Sequence, residues 1–412
     1  MDARDIRKKS ILPPHPPTLK SNSSILYMKH LLSSSAFADT KPHYHTLNGL
    51  RGVAALMVVW YHVFEGFAFA GGTMIETFNH GYLAVDFFFM LSGFVISYAY
   101  DDRWAGKMTW KDFLKRRLIR LHPMIVMGAI IGAIAFMLQG GVKWDGTATP
   151  FGWVIVALVM GSLFIPAYPG AGYEVRGNGE MFPLNGPSWS LFFEYLGNLL
   201  YVLLLRKLST QFLALLVAAT GAVWAWMAMF NFAGYESMGV GWTLDTVNFW
   251  GGTIRLLFPF SFGMLMARKF RPVKVRGMFG IGAVVMFLLF SVPFFASFHG
   301  FCVNGVYELL CVAIAFPILV WLGASNQQKE GESIRLCEEI GDLSYPLYIV
   351  HYPIMYLFYA WLIQEQRYTL SETWPVVIGV YALCVGLAYA CLKLYDIPVR
   401  KYLTRRFKVG VK

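Results

Sequence analysis

Apolar residues run along this chain in eleven windows close to membrane-spanning length, at 47–69, 81–99, 123–138, 151–168, 188–205, 211–232, 248–267, 278–297, 303–322, 343–363 and 375–394. Basic residues gather between them: before Thr46, over Arg103–Arg120, at Arg206 and Lys207, over Arg268–Arg276, and from Lys393 to Lys412. Positive segments stay on the cytoplasmic side of a membrane, and all of these do so if ten of the eleven windows cross. The weakest is 151–168, bounded by Gly and Pro and followed by a Gly-rich stretch, so it is expected to be re-entrant or interfacial on the outer side. The pattern therefore predicts an all-α fold, a polytopic membrane helical bundle of about ten transmembrane helices plus that one segment, with both termini cytoplasmic. Residues 1–45 mix Lys, Arg, Pro and Ser without a continuous apolar run and read as a disordered cytoplasmic tail. Residues 46–395 form the transmembrane domain, and 396–412 a basic cytoplasmic tail.

Two residues of the first window break its apolar character: Arg51 near one end and His62 deep inside. Each ionisable side chain in hydrocarbon costs about 2.5 kcal/mol or more unless a partner or water compensates, which makes both site candidates. Eleven residues at about 100° each come to about 20° past three turns, so the two side chains share a helix face, about 16 Å apart along the axis. With this window running outward, His62 stands about 24 Å up a hydrocarbon layer of about 30 Å. Asp86 and Glu194 each fall six residues into an inward-running window, about 9 Å below the outer surface, and so are expected in the layer of His62. A neighbouring carboxylate holds one imidazole tautomer and raises its basicity, as a general base requires. Asp86 or Glu194 is thus expected to orient His62, and the other to bind acceptor hydroxyls. A polar cluster that only glues helices together would use the same residue types. The stretch Gly93–Ser97 reads as a close helix contact rather than chemistry.

A second candidate cluster lies near the inner face. Residues 110–123 read WKDFLKRRLIRLHP, an amphipathic run with Arg116, Arg117 and Arg120 that ends at Pro123. Arg117 and Arg120 are three apart and can face the same way, as a phosphate clamp needs. Basic residues beside a span also serve as topology signals and lipid contacts, but Arg51 sits inside the hydrophobic layer rather than flanking it. Further on, GDLSYPLYIVHYP over 341–353 places His351 about 13 Å from the inner face, and Pro346 and Pro353 imply local helix breaks. His351 reads either as a helix-packing partner or as a reactive group, and Arg255 is equally open.

Composition agrees with the spans. At 57% hydrophobic and 14% charged, the 412 residues are too apolar for a soluble globular protein, in which charged residues run near a quarter. The net charge of +11 sits mostly in loops and tails, which suits anionic lipid rather than nucleic acid. Cys302, Cys311, Cys337, Cys384 and Cys391 lack metal-ligand spacing and read as small buried hydrophobes, so no metal is expected.

The blocks LNGLRGVAALMVVWYHV (47–63), GYLAVDFFFMLSGFVIS (81–97), RRLIRLHP (116–123), PSWSLFFEYLGN (187–198) and GDLSYPLYIVHYP, in this order, resemble the acyltransferase-3 family of integral-membrane O-acyltransferases. The resemblance implies a ten-helix domain that passes an acyl group, usually acetyl, from cytoplasmic acyl-CoA to a hydroxyl of an extracytoplasmic carbohydrate. No metal takes part, and the expected home is a bacterial inner membrane. The chain ends about 18 residues after its last window and so resembles the standalone type without an appended soluble domain. By the resemblance Arg51 and His62 match the family's essential Arg and His. Arg117 and Arg120 match its inner basic motif, where Arg116 joins them as cofactor-binding candidates, and Glu194 matches the acid of its Trp-containing motif. His62, Asp86 and Glu194 are the catalytic candidates, with His62 as general base or acyl relay. Trp189, Ser344, Tyr345 and His351 are expected to line the substrate path. Membrane lipids and the glycan acceptor are the expected partners, and a homo-oligomer is compatible with the pattern. A proton-coupled transporter using His62, Asp86 and Glu194 as a relay is the alternative, although no internal repeat supports it.

Overall fold

A computed structural model describes residues 43–407 and 409, apart from 74–76, 107, 299–300 and 327–331. Nearly all of the predicted N-terminal tail, and the last residues of the C-terminal one, lie outside the described residues. Every apolar window coincides with a helix: α1 His45–Ala70, α2 Ala84–Tyr100 after a 3-10 turn at His80–Leu83, α3 Trp110–Leu138, α4 Phe151–Ser162, α5 Ser188–Leu203, α6 Thr210–Met229, α7 Thr246–Lys269, α8 Met278–Ser291, α9 Val303–Ser325, α10 Glu332–Glu365 and α11 Leu370–Arg406. Among the described residues only isolated bridges, and no strands, accompany them. Eight of these helices are long and apolar enough to cross a membrane. Of the other three, α7 is 24 residues long but carries Arg255, Arg268 and Lys269, while α8 and α4 have only 14 and 12 residues.

Helix direction supports ten crossings. Arg51 meets Ser344 and His62 meets His351, so α1 and α10 run parallel. Eleven alternating crossings would make them antiparallel. The helix that turns back is α4, about 18 Å long, with only Val154 and Ala157 buried. An all-apolar helix that buries so little of itself suits lipid contact.

The tightest packing occurs where glycines replace side chains. A Cβ on Gly52 of α1 would stand 2.5 Å from the Ile340 carbonyl oxygen of α10, and one on Gly93 of α2 would stand 2.0 Å from that of Phe260 in α7. Backbones approach this closely only where Cβ is missing, as membrane helix interfaces favour. The predicted close contact at Gly93 is therefore present.

Three sequence expectations change. The basic run 110–123 does not end at Pro123 but continues into α3, whose start is fixed by a capping box between Thr109 and Asp112. Helix α10 is unbroken through Pro346 and Pro353. Pro353 removes the amide that would bond the Ile349 carbonyl, and the Asn185 side chain donates to that oxygen instead at 3.0 Å. The final helix runs on to Arg406, through residues read as part of the tail.

Candidate active site

The facing surfaces of α1 and α10 carry two polar layers. In the layer toward the C-terminal end of α1, His62 Nδ1 lies 2.6 Å from Glu65 Oε2, one turn further along the same helix. A carboxylate only accepts, so Nδ1–H donates and Nε2 keeps its lone pair. Glu65 is held in turn by α10, with the Tyr359 hydroxyl at 2.8 Å and that of Tyr352 at 3.2 Å, while Tyr61 reaches its other oxygen at 3.3 Å. His351 is fully buried, its ring 5.2 Å from that of His62. Its Nδ1 lies 3.0 Å from the Leu347 carbonyl, which likewise leaves Nε2 as the unprotonated nitrogen. That Nε2 has no partner among the described residues. Two imidazoles thus present basic nitrogens side by side, in a layer whose carboxylate is already saturated by donors.

Neither carboxylate expected to orient His62 does so. Asp86 is fully buried and receives both Nε and Nη2 of Arg255, at 3.2 and 2.6 Å. It faces α7 rather than α1, and helix azimuth is what counting residues from a surface leaves open. Glu194 belongs to the other layer, where Arg117 Nη2 donates to it at 2.5 Å and Ser92 at 3.1 Å. Counting its depth from Ser188 assumes that α5 begins at the surface. Instead the connection 163–187 carries the chain into the bundle: Asn185 bonds Ile349, and the Tyr356 hydroxyl receives the Gly186 amide. Trp189 packs beside Arg255, 5.3 Å from its guanidinium, rather than beside His62.

The layer near the start of α1 gathers the remaining candidates. Arg51 donates to Ser344 Oγ at 2.7 Å and to the Gly341 carbonyl at 2.6 Å. The Tyr345 hydroxyl donates to the Leu121 carbonyl at 2.5 Å, tying α10 to α3. Arg120 faces Arg117, Glu194 and Arg400, and has no hydrogen-bond or ion-pair partner among the described residues. Arg116 is half-buried one turn earlier on α3. Arg400, from the end of α11, pairs with Asp396 at 2.7 Å and leaves its Nε unpartnered. Arg51, Arg116, Arg117, Arg120 and Arg400 outnumber the nearby carboxylates of Glu194, Asp396 and Asp342, which gives this end an excess of positive charge.

Sequence reading missed Glu65, Tyr352, Tyr359 and Arg400. Glu65 had a signal, because a carboxylate three residues after a buried histidine shares its helix face. Arg400 had none, since its approach depends on α11 continuing into the basic segment.

Beyond α1, the long connection after α4 buries Arg176 completely. Its Nε donates to the Pro183 carbonyl at 2.6 Å and its Nη1 to Gln139 at 2.8 Å, and its guanidinium stacks 3.3 Å from the centre of the Tyr356 ring. Glu180, buried beside it, accepts from the Tyr356 hydroxyl. Burial pushes the Glu180 carboxyl up to about 7, against the pull of Tyr356 and Arg176.

The comparisons with known proteins point the same way. A family profile described as an acyltransferase domain matches residues 44–393. The acyltransferase MdmB of Streptomyces mycarofaciens is 26% identical over 75% of this chain and 78% of its own length. The peptidoglycan O-acetyltransferase OatA of Listeria monocytogenes is 25% identical over 86% of this chain but only 56% of its own. Protein 2 in the picA locus of Rhizobium radiobacter is 37% identical over 38% of this chain and 78% of its own. No solved structure matches. With the profile covering the whole bundle from α1 to the start of the basic C-terminal segment, this chain belongs to the acyltransferase-3 family and is an integral-membrane O-acyltransferase.

Proposed function

We propose that the protein moves an acyl group, acetyl in the simplest case, from cytoplasmic acyl-CoA to a hydroxyl of a carbohydrate on the opposite side of a bacterial inner membrane, with His62 as general base. The observation that carries this reading is the 2.6 Å contact from Glu65 to His62 Nδ1, which leaves Nε2 free to take a proton. As the acceptor oxygen bonds to the thioester carbonyl carbon, its proton passes to His62 Nε2. The C–S bond then breaks and the departing thiolate recovers that proton. Glu65 stabilises the imidazolium between these events, the role an aspartate plays beside histidine in serine hydrolases. His351 Nε2, an acceptor beside that of His62, is placed to take a hydrogen bond from a neighbouring hydroxyl of the acceptor and hold it in register.

The inner layer suits the donor. CoA is polyanionic and cannot enter hydrocarbon, and Arg51, Arg116, Arg117, Arg120 and Arg400 supply a cationic mouth in which Arg120 has no hydrogen-bond or ion-pair partner among the described residues. Ser344 and Tyr345 line its α10 side. From there to His62 is about 16 Å along α1, comparable to the reach of a pantetheine arm. The basic end then faces the cytoplasm with both termini, in line with the positive-inside rule. A carbohydrate acceptor is favoured by the relatives named as peptidoglycan O-acetyltransferases.

The test uses the full chain in sealed vesicles of known orientation, with radiolabelled acetyl-CoA added to the side bearing the C-terminus and a peptidoglycan disaccharide inside. Label on the enclosed sugar, and none when the compartments are exchanged, is the expected result. Transfer that requires both substrates in one compartment would refute the two-sided reading.

A further inference from the structure

We infer that the cluster of Trp144, Arg176, Asn178, Glu180 and Tyr356 is a binding subsite for a neutral, hydroxyl-rich sugar ring of the acceptor. This rests on the acyl-transfer reading above and names where that reading's acceptor is held. Rings lead from the far end of the molecule to the reactive layer in contact after contact. Phe69, 42% exposed, meets Trp144 at 4.8 Å; Trp144 meets Tyr356 at 6.0 Å; Tyr356 meets Tyr352 at 4.6 Å; and Tyr352 meets His62 at 4.6 Å. The cluster is therefore two rings from His62, a separation suited to a chain of sugar units with one hydroxyl at the imidazole.

Its polar atoms are unsatisfied in a complementary way. Among the described residues, the Trp144 indole N–H and Arg176 Nη2 are buried donors without acceptors, and Asn178 Oδ1 is a buried acceptor without a donor. Orphans are uncommon in native proteins, because a buried polar atom without a partner gives up its hydration and gains no bond in return. Several at one place are explained by a ligand that both donates and accepts. A sugar ring does so around its edge, while its C–H face covers an aromatic ring. Charge argues for a neutral ring rather than a phosphate: Arg176 lies between Glu174 and Glu180, both of which act on it electrostatically. The buried Asp86–Arg255 pair offers no comparable set of unpartnered atoms, because its acidic and basic groups already satisfy each other. The two segments of the subsite are fixed to each other by the Trp144 amide, which donates to the Arg176 carbonyl at 3.0 Å.

Binding of neutral tetrasaccharides built from β-glucose, β-N-acetylglucosamine and α-mannose to the full chain in nanodiscs, measured by calorimetry without acyl-CoA, tests the assignment. Trp144→Phe removes an N–H that none of the described residues accepts, so folding is expected to be retained. It is expected to weaken the tightest-binding probe by about fivefold to tenfold, the loss of one hydrogen bond and part of a stacking face. Trp250→Phe, on the exposed side of α7, serves as the control and leaves affinity unchanged. No binding by any probe, or equal affinity in Trp144→Phe, would overturn the subsite. Acyl-CoA is absent from the assay, so that failure would leave the vesicle experiment to decide the acyl-transfer reading on its own.

Discussion

At the scale of single residues, the decisive pairing is local. His62 takes its orienting carboxylate from its own helix, and the two carboxylates that depth pointed to are engaged elsewhere, Asp86 with Arg255 and Glu194 with Arg117. Opposite behaviour of two conservative changes follows. Glu65→Gln keeps shape and hydrogen bonding but loses the charge that supports the imidazolium, so kcat should fall by about a hundredfold while the KM for acyl-CoA stays put. Steady-state kinetics of the purified enzyme would show this, and a kcat within threefold of the parent would remove Glu65 from the account. Asp86→Asn instead leaves Arg255 as a buried charge without its counterion, and stability should drop by about 3 kcal/mol or more. Thermal unfolding in detergent reads that loss, and an unchanged midpoint would mean that the pair contributes nothing. The same pairings leave His62, Asp86 and Glu194 divided among three separate contacts, which gives the proton-relay alternative no connected path.

At the scale of elements, the apolar windows were legible because a membrane leaves few choices: every buried peptide group must be satisfied within its own helix, so hydropathy alone locates the helices. The weak window is the shortest of the eleven helices, and the glycines at 52 and 93 mark where backbones touch. Three things lay outside that pattern. The prolines at 123, 346 and 353 read as breaks, yet the helices pass through them, in one case with Asn185 capping the freed carbonyl from another element. The start of α5 below the surface depends on the fold of the 163–187 connection, for which no periodicity exists. The facing of Asp86 toward α7 is a matter of rotation about a helix axis, which an all-apolar helix does not encode. The Arg–His pair on one face of α1 was legible in full, while its partners on α10 became visible only once the two helices were seen to run parallel with close register.

At the scale of the whole molecule, one helix pair joins the two ends of the bundle. Arg51 is held by Ser344 and Gly341 at one level of α10, and His62 stands against His351 and Tyr352 at another. The proposed donor mouth and transfer layer are thus fixed to one another by the extensive contact between α1 and α10. The basic residues at the donor end draw on α1, α3 and α11, so that end is closed by elements from the beginning, the first third and the last part of the chain. On the proposed function, such an arrangement would separate an anionic donor from a carbohydrate acceptor without a large movement of either helix. The most direct measurement of this account is the rate of acetyl transfer from acetyl-CoA by the full chain and by its His62→Ala variant, each shown to be folded by the same unfolding midpoint. The account predicts a fall of about a thousandfold or more on losing the base. A variant that keeps about a third or more of the parent rate would contradict it.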